Sequence, residues 1–248
     1  QPFAAKGGLE WPFLVNRHPA GHFQHVLRGG VEFFGRRTLR FDSILLAAHG
    51  ITPDRCDILQ NSSVNYNEPI FVSHTSDDGA WSYIFTNNAS GWVPSDGVSF
   101  IDDATALSIQ KSEKVFITED NIAFHDEANR FAAYSRVGMV LPLDRVEGEY
   151  YYVKAVDSNN TIKILSLPKH SAHVGVSRLN KSDLIAIGTQ LLKNTYGWGG
   201  MYGERDCSSM IRDFMTPFGI WLPRNSSAQA RKGEVISFKG LDDDQKLS

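Results

Sequence analysis

Residues 196–210 read YGWGGMYGERDCSSM, which is a glycine-aromatic loop followed by the start of a helix. Glycine and aromatic residues in the first half indicate a tight loop that presents flat apolar surface. In the second half, Asp206 is a favourable N-cap, and apolar residues recur behind it at helical spacing. The pattern therefore predicts a helix that carries Cys207 in its first turn.

Cys207 is the candidate nucleophile of this stretch. The unpaired backbone N–H groups and the dipole at a helix N-terminus favour a thiolate over a thiol, and a thiolate beside a glycine-lined aromatic loop suits nucleophilic catalysis. The alternative is a small buried apolar residue behind a helix cap, which is the commoner role of a lone cysteine. The glycines and aromatic residues that precede Cys207 would be costly in a mere core loop and favour the nucleophile.

Three motifs together resemble the NlpC/P60 cysteine peptidases, which are papain-like enzymes that cut bacterial cell-wall peptides. They are Tyr196–Gly200, Asp206–Ser208 and the turn Gly219–Gln229, which reads GIWLPRNSSAQ. The chain is similar in particular to multidomain members that carry bacterial SH3 domains ahead of the catalytic domain. The resemblance implies an α+β multidomain chain with two small SH3-like β-barrels followed by a partial papain-like NlpC/P60 domain.

Short strand-like runs separated by turn residues occupy residues 61–110 and 112–167, which indicates two small β-barrels. The alternating run at Trp81 and the Gly-Trp-Val-Pro run at Trp92 resemble a bacterial SH3 domain. Both tryptophans are expected in the core rather than on a binding surface. Residues 1–60 show no pattern that assigns them.

The second barrel is expected to end in a hairpin formed by the runs Tyr150–Val156 and Thr161–Leu165. Phe131 and the three tyrosines that open this hairpin would supply most of the barrel core. Helix is expected only from about Ser182 onward. There it would begin the N-terminal part of a peptidase domain over residues 176–248.

Composition and charge exclude several functional classes. The net charge of −3 over 248 residues gives no argument for nucleic acid or an anionic membrane as a partner. The sequence has no run of about eighteen apolar residues, so no membrane span is expected. The first residues, Gln1–Lys6, lack the charged start and apolar core of a signal peptide, as a mature exported chain also would.

Two cysteines could form one disulfide, and three neighbouring histidines could bind a metal. Cys56 and Cys207 are expected to be free thiols, because a disulfide would consume the candidate nucleophile. His18, His22 and His25 lie close together, but no carboxylate or cysteine accompanies them, and a proline and a glycine between them disfavour an aligning helix. Surface histidines are therefore expected there rather than a metal site.

The resemblance implies roles for the residues around Cys207, which would be the catalytic nucleophile, and it implies neither a metal nor an organic cofactor. Asp206 would pair with the free amine of the stem peptide's N-terminal L-alanine; the alternative is that it only caps the helix. Two aromatic residues would wall the substrate groove, Tyr196 and Trp198. Three serines would hydrogen-bond the carboxylates of the stem peptide or, for the last two, only cap the next helix: Ser208, Ser226 and Ser227.

The general base is where the sequence departs from the family pattern. In the family, a histidine from the following sheet takes the thiol proton and then protonates the leaving amine. None of the eight histidines of this sequence follows Cys207, and His170 and His173 lie in the linker before the domain. We therefore expect a chain cut short inside its catalytic domain and inactive by itself.

Three interpretations of function follow. The leading one is a cell-envelope or secreted cysteine endopeptidase that hydrolyses the bond between γ-D-glutamate and the diamino acid in peptidoglycan stem peptides. The second is a non-catalytic cell-wall binding module made of SH3-like domains. The third is an amidase or acyltransferase on the same papain-like scaffold.

Overall fold

The computed structural model describes residues 25–27, 31–34, 60–234, 239–240 and 242–244. Two antiparallel sheets come first along the chain, and a mainly helical part follows. The first sheet contains β1 (His25–Leu27), β2 (Val31–Phe34), β3 (Gln60–Val64), β4 (Pro69–Thr75), β5 (Trp81–Phe85), β6 (Ser90–Pro94) and β7 (Val98–Phe100).

The first sheet runs in the order β3-β2-β6-β5-β4-β1-β7. Along β5, Ser82 and Ile84 are buried while Trp81 and Tyr83 are half-buried, which is the period of two expected for a sheet with one covered face. Trp92 is also only half-buried, so neither tryptophan belongs to the fully buried core that was predicted for them. That core consists of Val64, Ile70, Ile84, Val93 and Val98.

A helix, α1 (Asp103–Lys111), joins the two sheets, so the prediction that helix begins only near Ser182 is wrong. The side chain of Asp102 caps it by accepting a hydrogen bond of 2.7 Å from the backbone N–H of Thr105. Ala106 and Ile109 are buried, at the spacing of three that places residues on one helix face. The cap and the spacing are both in the sequence, but the weakly apolar stretch was assigned to the first barrel.

The second sheet runs in the order β10-β9-β13-β12-β11-β8-β14. Its core contains Val115, Ile117, Phe124, Leu141 and other buried apolar residues of the same sheet, together with Tyr66 from the first half of the chain. Its strands are β8 (Lys114–Ile117), β9 (Ala123–Asp126), β10 (Phe131–Tyr134), β11 (Val140–Glu147), β12 (Tyr150–Val156), β13 (Ile162–Pro168) and β14 (Ala172–Val174).

The predicted hairpin is present as β12 paired with β13, but of the aromatic residues predicted to form most of the core, Phe131 and Tyr150 are exposed and Tyr151 only packs against it. Phe131 is 55% exposed and Tyr150 is 46% exposed. Because side chains alternate between the faces of a strand, Tyr151 shares the inward face of β12 with Val153 and Ala155, and it packs half-buried at the margin of the core that these smaller residues fill. The aromatic residues were the more conspicuous part of the sequence, but the smaller apolar residues fill the core.

The strands also extend beyond the predicted boundaries, and the two sheets are joined. β1 and β2 come from the unassigned residues 1–60, and β14 lies in the predicted linker. Asn67 donates to the carbonyl oxygen of Lys154 at 3.0 Å and accepts from the backbone N–H of Val156 at 3.1 Å. This pair of bonds fixes the turn after β3 against the edge of β12.

The helical part contains α2 (Lys181–Leu191), α3 (Cys207–Met215) and α4 (Ser226–Gln229). Ile187 and Leu191 of α2 are buried against Val137 and Phe218, with Phe214 of α3 packed alongside. The predicted start of α2 is confirmed, because Asn180 caps it through the backbone N–H of Asp183. Among the described residues, no helix has the length and apolarity needed to span a membrane.

Candidate active site

Cys207 is the first residue of α3, as the sequence predicted. The Asp206 carboxylate accepts the backbone N–H of Ser209 at 2.9 Å, and the Ser209 hydroxyl accepts the backbone N–H of Asp206 at 2.9 Å. This reciprocal capping box satisfies two of the free N–H groups at the helix start. The Cys207 side chain is exposed, which does not fit the alternative of a buried apolar residue.

The glycine-aromatic loop leads directly into this helix. A bridge between Tyr196 and Arg205 closes it, and the backbone N–H of Gly197 donates to the Arg205 carbonyl at 3.1 Å. Tyr196 is 62% exposed and Trp198 is 44% exposed. The loop therefore presents aromatic surface within the segment that immediately precedes Cys207, where the resemblance implied the walls of a groove.

The first sheet holds the loop in place through β3. Gly199 and Gly200 have φ values of +62° and +87°, a region that side chains with a Cβ rarely adopt. A Cβ on Gly199 would overlap the carbonyl of Gln60, and one on Gly200 would overlap the Ser63 hydroxyl. The Gln60 side-chain amide also donates to the Gly199 carbonyl at 3.3 Å. These glycines therefore allow the loop to contact β3 closely as well as to make a tight turn.

Four polar side chains form a buried group behind the thiol, which we call the Asp206 cluster: Asp206, Ser208, Arg224 and Ser62. The Arg224 guanidinium donates to both carboxylate oxygens of Asp206, Nη1 to Oδ1 at 3.1 Å and Nη2 to Oδ2 at 2.5 Å. It also donates to the Ser208 hydroxyl at 3.0 Å and, from Nε, to the Ser62 hydroxyl at 2.7 Å. Residues from β3, α3 and the segment before α4 thus meet at one guanidinium.

The Asp206 carboxylate is held in its charged form. Burial raises its pKa, but the hydrogen bonds from Arg224 and from the backbone of Ser209 outweigh burial and keep the pKa below its usual value. Its oxygens accept from Arg224, Ser208 and the helix N-terminus. The capping role of Asp206 is therefore present in the structure, while the pairing with a substrate amine stays a prediction.

The structure places the predicted serines in two environments. Ser208 is buried inside the Asp206 cluster. Ser226 and Ser227 are exposed in the first turn of α4, whose N-cap is Asn225, so the alternative that these two serines cap the helix is wrong. Gln229 donates to the Ser208 carbonyl at 2.8 Å and so joins α4 to the start of α3.

A second buried group, the Asp213 cluster, was missed by the sequence analysis: Asp213, Arg136, Arg205, Arg212 and Asp120. Asp213 accepts from Arg205 at 2.8 Å, from Arg212 at 2.7 Å and from Arg136 at 3.3 Å. Arg205 reaches Asp120 with both terminal nitrogens, at 2.7 and 2.9 Å. Because Asp120 follows β8 and Arg136 lies between β10 and β11, this cluster fixes α3 against two loops of the second sheet.

The charges of the Asp213 cluster stabilise one another. Burial raises the pKa of Asp213, but Arg212, Arg136 and Arg205 outweigh burial and lower that pKa to about 2. Periodicity could not reveal this cluster, because charged residues on an amphipathic helix are assigned to the solvent face. The only signal in the sequence is the pair of adjacent opposite charges at Arg205-Asp206 and Arg212-Asp213.

The two histidines nearest in sequence to the helical part contact groups other than the thiol. His173 Nδ1 lies 2.7 Å from the Gly175 carbonyl oxygen and its ring packs on Phe116, while His170 lies 3.7 Å from Glu119. Within the described ranges, no histidine hydrogen-bonds to Cys207, and no cluster of three potential metal ligands occurs. Most of the other cysteine and histidine predictions fall outside the described residues: Cys56, His18 and His22 lie there, and His25 begins β1.

Two cavities lie where the three parts of the chain meet. One of about 330 Å³ is lined by Tyr66, Lys114, Arg212 and Trp221 among others. Another of about 470 Å³ lies between β10 and the glycine-aromatic loop, with Tyr134 and Tyr202 in its wall. Neither lining includes Cys207, whose side chain is exposed.

Comparisons with known proteins confirm the resemblance. Residues 41–94 match the family model of the SH3 domain of SH3b1 type, and residues 193–242 match that of the NlpC/P60 family. The second match contains Cys207, the Asp206 cluster residues of the helical part and the whole glycine-aromatic loop. A search of curated proteins found no match.

Two solved structures share the fold. One is described as a novel NlpC/P60 endopeptidase from Photobacterium damselae subsp. piscicida, with a TM-score of 0.66 and 20% identity over 90% of this chain. The other is an NlpC/P60 family protein from Bacillus cereus ATCC 10987, with a TM-score of 0.67 and 18% identity over 88% of this chain. This chain spans 49% of the Photobacterium chain and 80% of the Bacillus chain.

Proposed function

We propose that the protein is a cysteine peptidase of the bacterial cell wall, with Cys207 as its nucleophile. The observation that carries this proposal is the exposed thiol at the first position of a capped helix, directly behind the glycine-aromatic loop. The match of residues 193–242 to the NlpC/P60 family supports it. So does the shared fold with a protein described as an NlpC/P60 endopeptidase.

The reaction is the hydrolysis of an amide by nucleophilic catalysis. The Cys207 thiolate attacks the carbonyl carbon, the amine leaves after it accepts a proton, and water then releases the acyl group from sulfur. We propose the bond between γ-D-glutamate and the diamino acid of the stem peptide as the one that is cut. These steps need a thiol and a general base for the proton transfers, so the proposed reaction requires neither a metal nor an organic cofactor.

The proposed substrate contacts surround Cys207. Tyr196 and Trp198 would wall the groove, in keeping with their exposed rings. Ser226 and Ser227 are exposed and available to substrate carboxylates. Asp206 and Ser208 would contact the peptide's free amine and carboxylate only on the side that Arg224 leaves open, because Arg224 already occupies both oxygens of Asp206.

We further propose that both sheets are SH3-like barrels that serve cell-wall recognition, and that the protein acts in the cell envelope or outside the cell. The first sheet lies partly within residues 41–94, which match the SH3 model. The second has the same number of strands in an antiparallel sheet of its own. A non-catalytic wall-binding module is the second candidate, favoured by the contacts of His170 and His173, which are with Glu119 and the Gly175 carbonyl instead of Cys207.

The eight histidines all precede Cys207 in the chain, and His170 and His173 contact groups other than the thiol, so we propose that this 248-residue chain does not turn over peptides by itself. The test uses a purified muropeptide, with mass spectrometry of the products. It compares this chain, a form extended by the histidine-bearing sheet that the resemblance implies, and the Cys207→Ala variant of each.

The peptidase proposal predicts that only the extended form with Cys207 releases a fragment that ends in γ-D-glutamate. A fragment cut between sugar and L-alanine would indicate an amidase instead. No cleavage by the extended form, combined with co-sedimentation of the chain with insoluble peptidoglycan, would favour the binding module. Turnover by the short form that is lost in Cys207→Ala would keep the peptidase and overturn the proposed inactivity.

A further inference from the structure

The Asp206 cluster contains an arginine for which no role has been assigned. We propose that Arg224 is a positioning residue that sets the reactivity of Cys207, by neutralising the Asp206 carboxylate and holding it at the start of α3. This inference rests on the proposed role of Cys207 as a nucleophile. It concerns a property of the thiol that can be measured without any peptide substrate.

Arg224 is buried and is held by several hydrogen bonds. Its guanidinium is buried, with 6% of the residue exposed, and it donates two hydrogen bonds to the Asp206 carboxylate, one to each oxygen. A planar fork of this kind matches a carboxylate in a way that a lysine ammonium cannot reproduce. Arg224 is therefore the direct partner of the residue that both caps α3 and precedes Cys207 in the chain.

The charge of Asp206 influences whether Cys207 is a thiol or a thiolate, so its pairing with Arg224 matters for reactivity. A carboxylate beside a cysteine disfavours the thiolate, whereas the N–H groups of a helix start favour it. Asp206 has both effects, because it carries the carboxylate and also caps the start of α3. Arg224 removes the electrostatic penalty and leaves the cap in place, since Ser209 still donates to Asp206.

The other charged groups around the helix start are engaged elsewhere. Arg205 and Arg212 pair with Asp213, and Arg205 also pairs with Asp120, which follows β8. Arg224 is consequently the cation in direct ion-pair contact with Asp206 among the described residues. Removing it would leave the negative charge of Asp206 uncompensated at the residue next to the nucleophile.

Arg224 also joins the thiol's surroundings to the first sheet. Its Nε donates to the hydroxyl of Ser62 in β3, the strand that receives the glycine-aromatic loop. The same strand therefore supports both the loop before Cys207 and the arginine behind it. Docking of the first sheet thus contributes to the orientation of Arg224 toward Asp206.

The test measures alkylation of Cys207 by iodoacetamide, which is uncharged, as a function of pH. Every variant of the full 248-residue chain carries Cys56→Ser, so that one thiol reacts. The variants are Arg224→Gln, Asp206→Asn and the double variant, because asparagine keeps a good N-cap without the charge. Arg145→Gln is the matched control, since it removes an exposed arginine of β11 that also pairs with carboxylates.

We expect Arg224→Gln to raise the pH midpoint of alkylation by about one unit, the size of shift that one uncompensated charge near a thiol produces. The rate at pH 7 should fall about threefold, because the higher nucleophilicity of the remaining thiolate partly offsets its lower population. The double variant should return to within about 0.3 pH unit of the parent, and the control should not move.

A purely structural role makes the opposite prediction, since two defects in one cluster would leave the double variant at least as slow as Arg224→Gln. That result would overturn the proposal, as would a folded Arg224→Gln protein with an unchanged midpoint. If Arg224→Gln does not fold by circular dichroism, Asp206→Asn alone decides the matter. It should lower the midpoint, and an equal or higher midpoint contradicts the proposal.

Failure of this inference and failure of the proposed function give different results. Alkylation reports on the thiol and its neighbours only, so a charge-dependent midpoint with no peptide cleavage would remove the peptidase and keep the role of Arg224. Cleavage by the extended form with an unresponsive midpoint would keep the peptidase and remove the role of Arg224.

Discussion

Asp213 is the residue on which the buried charges of the helical part converge. It is only 1% exposed and accepts hydrogen bonds from three arginines that come from two parts of the chain. We expect Asp213→Asn to lower the free energy of unfolding by about 3–5 kcal/mol, because it leaves buried guanidinium charges without their partner. Urea unfolding followed by circular dichroism measures the change.

The control for that prediction is a carboxylate on the surface. Glu147 pairs with Arg145 at 3.4 Å, and 68% of its side chain is exposed. Glu147→Gln should change the unfolding free energy by less than about 0.5 kcal/mol, since solvent screens exposed pairs. Equal effects of the two substitutions would mean that the Asp213 cluster contributes nothing beyond an ordinary surface pair.

The same residue gives a pH dependence of stability whose sign follows from its pKa. The folded-state pKa is about 2, below the ordinary value of 3.8, so the charged form is stabilised by folding. This contribution, roughly 2 kcal/mol, is fully present above about pH 4 and is lost as the pH falls through 2. The stability gap between the parent and Asp213→Asn, measured by urea unfolding, should therefore be smaller at pH 2.5 than at pH 7. A gap that widens in acid would contradict this assignment.

Among the elements, the glycine-aromatic loop depends on its contact with β3. Gly200→Ala adds a methyl group that overlaps the Ser63 hydroxyl, whereas Gly203, at φ +74°, has open space where its Cβ would lie. Both substitutions strain the backbone, so Gly203→Ala is a matched control. We expect Gly200→Ala to cost about 1–3 kcal/mol more than the control, the usual cost of overpacking.

A compensating change separates the overlap from the backbone strain. Ser63→Gly removes the atoms that the new methyl group would meet first, so it should restore part of the stability lost in Gly200→Ala. Thermal unfolding of the single and double variants measures this coupling. Additive losses in the double variant would show that the loop does not rest on β3 as described.

The elements also show what sequence patterns can and cannot predict. The start of α3 and the β12–β13 hairpin were predictable because their signals are local: a cap followed by a helical stripe, and two alternating runs around a turn. α1 was not predicted because its apolar face is weak: the buried residues of this helix are Ala106 and Ile109. Burial on the second sheet was misjudged because conspicuous aromatic residues such as Phe131 lie on its outer surface.

For the whole molecule, the decisive contacts join residues that are far apart in the chain. Ser62 meets Arg224 and Asp120 meets Arg205, each across a different boundary between units. Sequence periodicity does not reveal such pairs, so the position of Cys207 at the start of α3 could be predicted from the sequence, but the charges that surround it could not. The exposed thiol thus depends on both sheets, and the helical part is not an independent body.

The most direct test of the central claim is affinity labelling of Cys207. A stem peptide ending in γ-D-glutamate with a chloromethyl ketone at the scissile carbonyl reacts with a positioned thiolate and needs no proton donor for a leaving amine. Mass spectrometry of tryptic peptides measures the labelling. The stem-peptide reagent should label Cys207 of the parent chain much faster than a scrambled peptide carrying the same group does, and the Cys207→Ala variant should show no such preference. Equal rates for the stem and scrambled reagents would contradict the claim that Cys207 lies in a site for cell-wall peptides.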